Sequence, residues 1–310
     1  MSAAYQPLHH KYRPQRFDQL VGQEAIAATL GNALRSRRIA PAYLFSGPRG
    51  TGKTSSARIL ARSLNCIGSD GPTPEPCGTC ELCTSIANGS ALDVIEIDAA
   101  SNTGVDNIRE LIERSRFAPV QARWKVYVVD ECHMLSTAAF NALLKTLEEP
   151  PPRVVFVLAT TDPQRVLPTI LSRCQRFDFR RIPLDALERH LSWIAKQEEI
   201  GITTEALHVV AQRAQGGLRD AESLLDQLSL LPAPVAQDFK AGVVLQTEGE
   251  GAIGMVWGAA TAAAKRGVAA GQHTDRFDQP LQILQLFRTS RQAAARIQKP
   301  RQLGVVRVGL

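Results

Sequence analysis

The stretch Gly47-Pro48-Arg49-Gly50-Thr51-Gly52-Lys53-Thr54 fits the pattern G-x-x-x-x-G-K-[ST] and is followed by Ser55. Its glycines let successive backbone N–H groups curl around a phosphate, and a helix starting just after them turns its positive end to the anion. In that setting Lys53 reaches the outer phosphates of a nucleotide and Thr54 ligates Mg²⁺. A second stretch, "VYVVDECH" at 126–133, is an apolar run that ends in two acids. Asp130 at such a strand end holds Mg²⁺ through water, and Glu131 orients and deprotonates an attacking water. A base at Glu131 points to hydrolysis, not to binding alone.

A third group is made of thiols, spaced Cys66-x10-Cys77-x2-Cys80-x2-Cys83. Paired C-x-x-C loops suit tetrahedral Zn²⁺, and four thiolates close its coordination shell, which argues against an open catalytic metal. An iron–sulfur cluster is the rival, because C-x2-C-x2-C also opens ferredoxin-type runs; those continue with x3-C-P, whereas this chain continues "TSIA". Free thiols are the remaining alternative. The insert is rich in Gly and Pro and has too little apolar content to fold alone, so a metal would fix it as a rigid protein-contact surface outside the nucleotide site. Cys132 and Cys174 fall outside the spacing and read as small packing residues. His133 reads as structural, and His9 and His10 as part of an exposed arm.

These residues need a frame. Short β-rich runs at 42–47, 92–98, 125–131 and 153–161 alternate with helical patterns such as "GKTSSARILARSLN", "NIRELIERSR" and "TAAFNALLKTLEE". That alternation predicts an α/β fold, a parallel sheet with helices on both faces. Pro150-Pro151-Pro152 ends the third helix. After "FDFRRIP" strand signals fade, and 184–230 shows apolar residues at three- and four-residue spacing, a small helical domain. The run "LPAPV" at 231–235 then punctuates the chain.

Composition narrows the function class. The chain has 310 residues, enough for two or three domains, and no apolar run long enough for a membrane span or a signal-peptide core. A cytoplasmic protein with reduced thiols and no membrane partner is expected. The net charge of +6 is concentrated beyond residue 237, where ten Lys and Arg face five Asp and Glu. The first 236 residues are nearly neutral, so DNA contacts there rest on local basic patches and helix N-termini.

Together with the phosphate loop and the acid pair, "LATTDP" (158–163), "ILSRC" (170–174) and "GGLRDAESLLDQ" (216–227) resemble the gamma/tau subunits of bacterial DNA polymerase III, clamp-loader ATPases of the AAA+ superfamily. The resemblance runs from "YRPQRFDQLVGQE" (12–24) to about residue 235. It implies an AAA+ P-loop ATPase domain over 1–180, with a zinc module at about 65–90, and a helical lid over 181–236. ATP, Mg²⁺ and Zn²⁺ are the implied cofactors. The implied partners are other clamp-loader subunits in a hetero-oligomeric ring, the sliding clamp and primer–template DNA. By residue, it places Thr161 at the sensor-1 strand end beside Thr160, makes Arg173 the arginine finger of a neighbour's site, and makes Arg219 the sensor-2 arginine. It puts Tyr12, Arg13, Val21 and Gly22 in the adenine pocket. The activity implied is ATP-driven loading of the clamp onto primed DNA, with a non-hydrolysing loader subunit and an AAA+ branch-migration helicase as alternatives. Residues 237–310 depart from the family's helical collar and form an atypical basic tail. It reads as poorly ordered, with three accounts open: a DNA-binding tail, a diverged collar, or, the one favoured here, a segment read in a different frame.

Overall fold

The apolar runs become strands. In the computed structural model, which describes residues 5–101 and 104–230, one parallel sheet contains β1 (Ala42–Ser46), β2 (Val94–Asp98), β3 (Lys125–Asp130), β4 (Val154–Thr160) and β5 (Gln175–Asp178). Their order across the sheet is β2-β3-β4-β1-β5. Ser46 pairs with Thr160, and Asp98 with Asp130, so the strands end level along one carboxyl edge. In an open parallel sheet that edge is where ligands bind.

Nearly every β3 and β4 side chain is buried, because helices cover both faces of the sheet and leave no solvent side to alternate with. On one face α2 (Glu24–Arg35) and α3 (Lys53–Asn65) pack Leu30, Leu34 and Leu60 against Tyr43, Phe45 and Val157. On the other, α5 (Val105–Ser115) and α6 (Thr137–Glu148) pack Ile108 and Leu143 against Leu44, Tyr127 and Leu158. Neighbours such as Leu44 and Phe45 thus serve opposite cores, as the two-residue period of a strand requires. The Ser136 hydroxyl caps α6 by accepting from Ala139 N, and α6 ends ahead of the proline run.

A third core joins α8 (Leu184–Gln197), α9 (Thr204–Arg213) and α10 (Leu218–Ser229) through Leu187, Leu191, Val210 and Leu225. Two further short helices are α1 (Leu8–Lys11), whose Leu8 enters this third core, and α7 (Pro168–Leu171), which follows β4.

Three features go beyond the sequence reading. The sheet has a fifth strand that no apolar run marked: β5 pairs with β1 at the sheet edge and buries only Phe177. The thiol insert is not all loop. It contains α4 (Glu81–Asn88), with the Cys80 sulfur as its N-cap acceptor for Cys83 N. The N-terminal arm is not free, since Leu8 is buried and the half-buried His9 approaches Ser223 of α10. Every account of residues 237–310, including a helix at 281–299, lies outside the described residues, as does the break at 231–235. No helix among the described residues is long and apolar enough to cross a membrane.

Candidate active site

The loop between β1 and α3 is shaped by its glycines. Gly47, Gly50 and Gly52 all have positive φ, a region open to glycine at little cost. At Gly47 the constraint is also one of space: a Cβ there would lie 2.2 Å from the Phe179 carbonyl oxygen. The loop thus turns tightly enough to present its N–H groups ahead of α3, the geometry a phosphate group needs.

Lys53 is the first residue of α3, and its buried Nζ donates to the Gly47 and Pro48 carbonyls, both at 2.8 Å. Burial lowers its pKa, an effect opposed by Glu131 and Asp130. Thr54 Oγ1 donates to Asp130 Oδ2 at 2.6 Å, joining the loop to the end of β3. A hydroxyl and a carboxylate converging beside a phosphate cradle form a hard oxygen donor set suited to Mg²⁺.

Glu131 has left-handed backbone, φ 46°, a conformation costly for a non-glycine residue and concentrated at functional sites. Its Oε2 accepts from the Thr161 hydroxyl at 2.9 Å and the Thr161 N–H at 3.3 Å, and lies 3.4 Å from His133 Nδ1. His133 Nδ1 is also 3.0 Å from Thr160 Oγ1. Thr161 and Glu131 are therefore brought together, with His133 built into the same network.

A cleft of about 680 Å³ opens beside the loop. It is lined by Arg49 to Ser55 along the loop, by Asp130 and Glu131, and by Arg13, Val21 and Arg219 from other elements. Arg13 Nε donates to Ser55 Oγ at 3.2 Å; burial, followed by the nearby Arg58 cation, lowers its pKa. Arg219 also pushes the Arg13 pKa down. Several cations crowded around one cleft favour a polyanion. Leu218 N donates to the Gly50 carbonyl at 2.9 Å, so the first residue of α10 is bonded to the phosphate loop itself.

Three of the expected residues, Tyr12, Gly22 and Arg173, stand apart from the cleft lining. Tyr12 does not line the cleft: its ring meets Trp193 edge-on at 5.2 Å and its hydroxyl donates to Glu198, so it ties the N-terminal arm to α8. Gly22 turns the chain at φ 68°, with Ile182 Cγ2 3.0 Å from where its Cβ would be. Arg173 is also outside the cleft, ion-paired with Glu148 and donating to the Thr169 carbonyl at 2.6 Å. His9 and His10, expected in an exposed arm, also line the cleft, and Arg58, Glu96 and Glu222 are cleft residues that sequence reasoning passed over. Arg58 and Glu96 form a two-pronged ion pair at 2.7 and 2.9 Å. No local sequence signal marks them.

The four expected thiols converge. The Sγ atoms of Cys66, Cys77, Cys80 and Cys83 lie within 4.8 Å of one another, directly after the C-terminus of α3. A tetrahedral zinc–sulfur shell sets sulfurs about 3.8 Å apart, so the cluster is compatible with that ion. Backbone N–H groups of Cys77, Cys80 and Cys83 point at the sulfurs of Cys66, Cys77 and Cys80, at 3.3 to 3.5 Å. The N–H groups of Cys80 and then Thr79 bring the Cys77 thiol down to about 6, whereas burial pushes Cys83 up to about 12. Donors of this kind hold thiolates ready for a cation. Cys132 is buried in the core and Cys174 packs against it, both away from the cluster.

A phosphate loop after β1, an acid pair at the end of β3, one strand removed across β4, and a helical lid bonded to the loop are the defining parts of an AAA+ ATPase. The fold agrees: Thermotoga maritima RuvB, the Holliday junction branch migration motor, superposes with a TM-score of 0.51 at 19% identity, over 69% of this chain and 64% of that one. Residues 22–183 match the family model "DNA polymerase III, delta subunit", and residues 186–228 match "DNA polymerase III clamp loader subunit, ATPase lid domain". The chain belongs to the DNA polymerase III clamp-loader ATPase family, as the resemblance of its motifs to gamma/tau implied. It is 54% identical over 224 residues to DNA polymerase III subunit tau of Bacillus subtilis, covering 72% of this chain and 39% of that protein. It is 51% identical over 224 residues to subunit tau of Escherichia coli, covering 72% and 34%. The chain thus spans about a third to two-fifths of the length of these relatives.

Proposed function

We propose that this chain is an ATP-hydrolysing motor subunit of a DNA polymerase III clamp loader, working in a hetero-oligomeric ring that opens the sliding clamp and places it on primer–template DNA. The observation that carries the reading is the convergence of Lys53, Thr54, Asp130 and Glu131 at one sheet edge, with the lid bonded to the same loop. A subunit that only held its neighbours would need no base there.

In this reading the N–H groups of residues 49–54 and Ser55 bind the phosphates, while Gly47 and Pro48 shape the loop, and Lys53 exchanges its loop carbonyls for phosphate oxygens. Thr54 and Asp130 hold Mg²⁺, which supplies charge neutralisation on the phosphate oxygens. Glu131 takes the proton of the attacking water, and Thr161, its hydrogen-bond partner, positions it. Arg13 and Val21 line the cleft on the N-terminal side, and Arg219 reaches the outer phosphate from the lid. Arg173 serves a neighbour's site, in keeping with its place outside its own cleft. The four-cysteine module holds zinc as a structural tie and presents a rigid surface. Functionally, residues 1–180 are the ATPase domain and 181–236 the lid that couples nucleotide to the angle between them. The setting is cytoplasmic.

The test is ATP hydrolysis by the chain assembled with the other loader subunits, with and without sliding clamp plus primed DNA. Stimulation by that combination is expected, and its absence overturns the motor reading. In mixed rings, Arg173→Ala should leave ATP affinity intact and lower turnover. Activity should return only where an intact site adjoins an intact neighbouring Arg173.

A further inference from the structure

The lid wall of the cleft contains a buried carboxylate. Glu222 is 3% exposed and lies one helical turn beyond Leu218, the residue bonded to the phosphate loop. Its Oε1 is 3.3 Å from His190 Nε2, whereas its Oε2 makes no hydrogen bond among the described residues and is not sealed from solvent. Glu222 lines the cleft together with Leu20, Val21, Ile182 and Leu218. A side chain buried on all but its cleft side, with one oxygen left facing the cleft, is placed to accept from a donor on what fills it.

The position along the cleft indicates which donor. The phosphate end is fixed by Lys53 and Thr54. Four residues of helix carry Glu222 about 6 Å from the point where α10 meets the loop. The cleft lining also supplies Leu20, Val21, Ile182 and Leu218, apolar side chains suited to a flat heteroaromatic ring and not to a phosphate. His190, tilted against Trp193 at 5.7 Å, fixes the carboxylate from behind.

Resting on the reading of this cleft as a nucleotide site, we propose that Glu222 is its base-specificity residue: the free carboxylate oxygen accepts the exocyclic N6–H of adenine. A purine with a carbonyl oxygen at that position sets acceptor against acceptor. A site built to hydrogen-bond a group rejects the analogue that lacks it more strongly than an apolar pocket can.

The experiment measures displacement of a ribose-labelled fluorescent ATP from the full chain by ATP, inosine triphosphate and purine riboside triphosphate, which lacks only the amino group. Wild type should bind purine riboside triphosphate about ten- to a hundredfold more weakly than ATP, the worth of a hydrogen bond to a charged acceptor, with inosine triphosphate at least as weak. Glu222→Gln keeps an acceptor and should retain the preference; Glu222→Leu and Glu222→Met should bring the two affinities within about twofold. Because the ratio within each variant is the readout, a general loss of lid packing does not imitate the result. Equal wild-type affinity for ATP and purine riboside triphosphate overturns the proposal without any variant. So does an unchanged ratio in Glu222→Leu and Glu222→Met. A wild-type chain that binds none of the three overturns the nucleotide-site reading first, and this proposal with it.

Discussion

Replacing Gly47 by alanine tests how the phosphate loop is held. The added Cβ would lie 2.2 Å from Phe179 O, 2.9 Å from Phe179 Cβ and 3.0 Å from Phe179 C, at a backbone φ of 144°. Neither side can yield easily, because Phe179 is buried and its N–H donates to Ser46 O at 2.7 Å. The two segments must part by about 1 Å, an overpacking cost of about 1–3 kcal/mol. The φ alone adds about 1–3 kcal/mol, so the total is about 2–6 kcal/mol. For an ordered region of this size each kcal/mol lowers Tm by about 2–4 °C, and a central cost of about 4 kcal/mol lowers it by about 8–16 °C. Thermal unfolding followed by circular dichroism reads the loss. Nucleotide affinity should fall in parallel, since the Gly47 carbonyl anchors Lys53 and its N–H donates to Thr160 O. Two controls divide the effect. Gly52→Ala has the positive φ, 101°, but meets only Leu20 Cδ2 at 3.7 Å, so it bears the dihedral cost alone. Gly201→Ala meets nothing and should be nearly neutral. If Gly47→Ala melts within 2 °C of Gly52→Ala, taken as about the resolution of the comparison, the contact with Phe179 is not what fixes the loop.

Lys53→Ala should abolish nucleotide binding in equilibrium titrations, whereas Glu131→Gln should bind normally and turn over at least a hundredfold more slowly; equal loss of affinity in both refutes the separate roles. Elemental analysis should find about one zinc per chain, and stripping it with a chelator should lower the melting temperature, whereas iron with visible absorption overturns the zinc assignment. Asp93 is buried and accepts N–H bonds from Val120, Gln121 and Ala122 at 2.7 to 3.0 Å. Burial alone would raise its pKa, but these donors and Lys125 outweigh it and hold the carboxyl below its ordinary value. Asp93→Ala should cost about 2–4 kcal/mol at neutral pH. Because the folded pKa is depressed, that difference is full above the ordinary carboxylate range and shrinks as pH falls below about 4, which melting curves across pH check.

The parts of the site that were legible in the sequence are those whose chemistry is local. A phosphate loop needs its glycines and its Lys-Thr in one contiguous stretch, and an acid pair needs only a strand before it, so 47–54 and 130–131 could be read directly. The thiol spacing was legible for the same reason, since C-x-x-C is a local geometry. What escaped was set by tertiary packing. The β5 strand buries one side chain of four, too few to register as an apolar run. Tyr12 turns toward α8 because Trp193 and Glu198 offer a ring edge and an acceptor, partners 181 and 186 residues away in sequence. Glu222 sits in an amphipathic helix, where an acid normally marks the solvent side, and only the fold reveals that it is buried beside His190 in the cleft wall.

Helix α3 begins at Lys53 and ends at Asn65, one residue before Cys66. It is therefore a single stiff rod of about 20 Å, with the phosphate cradle at one end and the thiol cluster at the other. Asn65 is clamped to Trp124 in both directions, by its amide to Trp124 O at 3.0 Å and from Trp124 N at 2.8 Å. Such a rod works as a lever: a tilt of about 5° about its phosphate end sweeps the far end by about 1.7 Å, with no change in its internal hydrogen bonds. The cysteine module is the pad on the end of that lever. Cross-linked by a metal, it would transmit the displacement whole and not absorb it, so the outer surface at residues 66–83 would move as one body with the loop at 47–54.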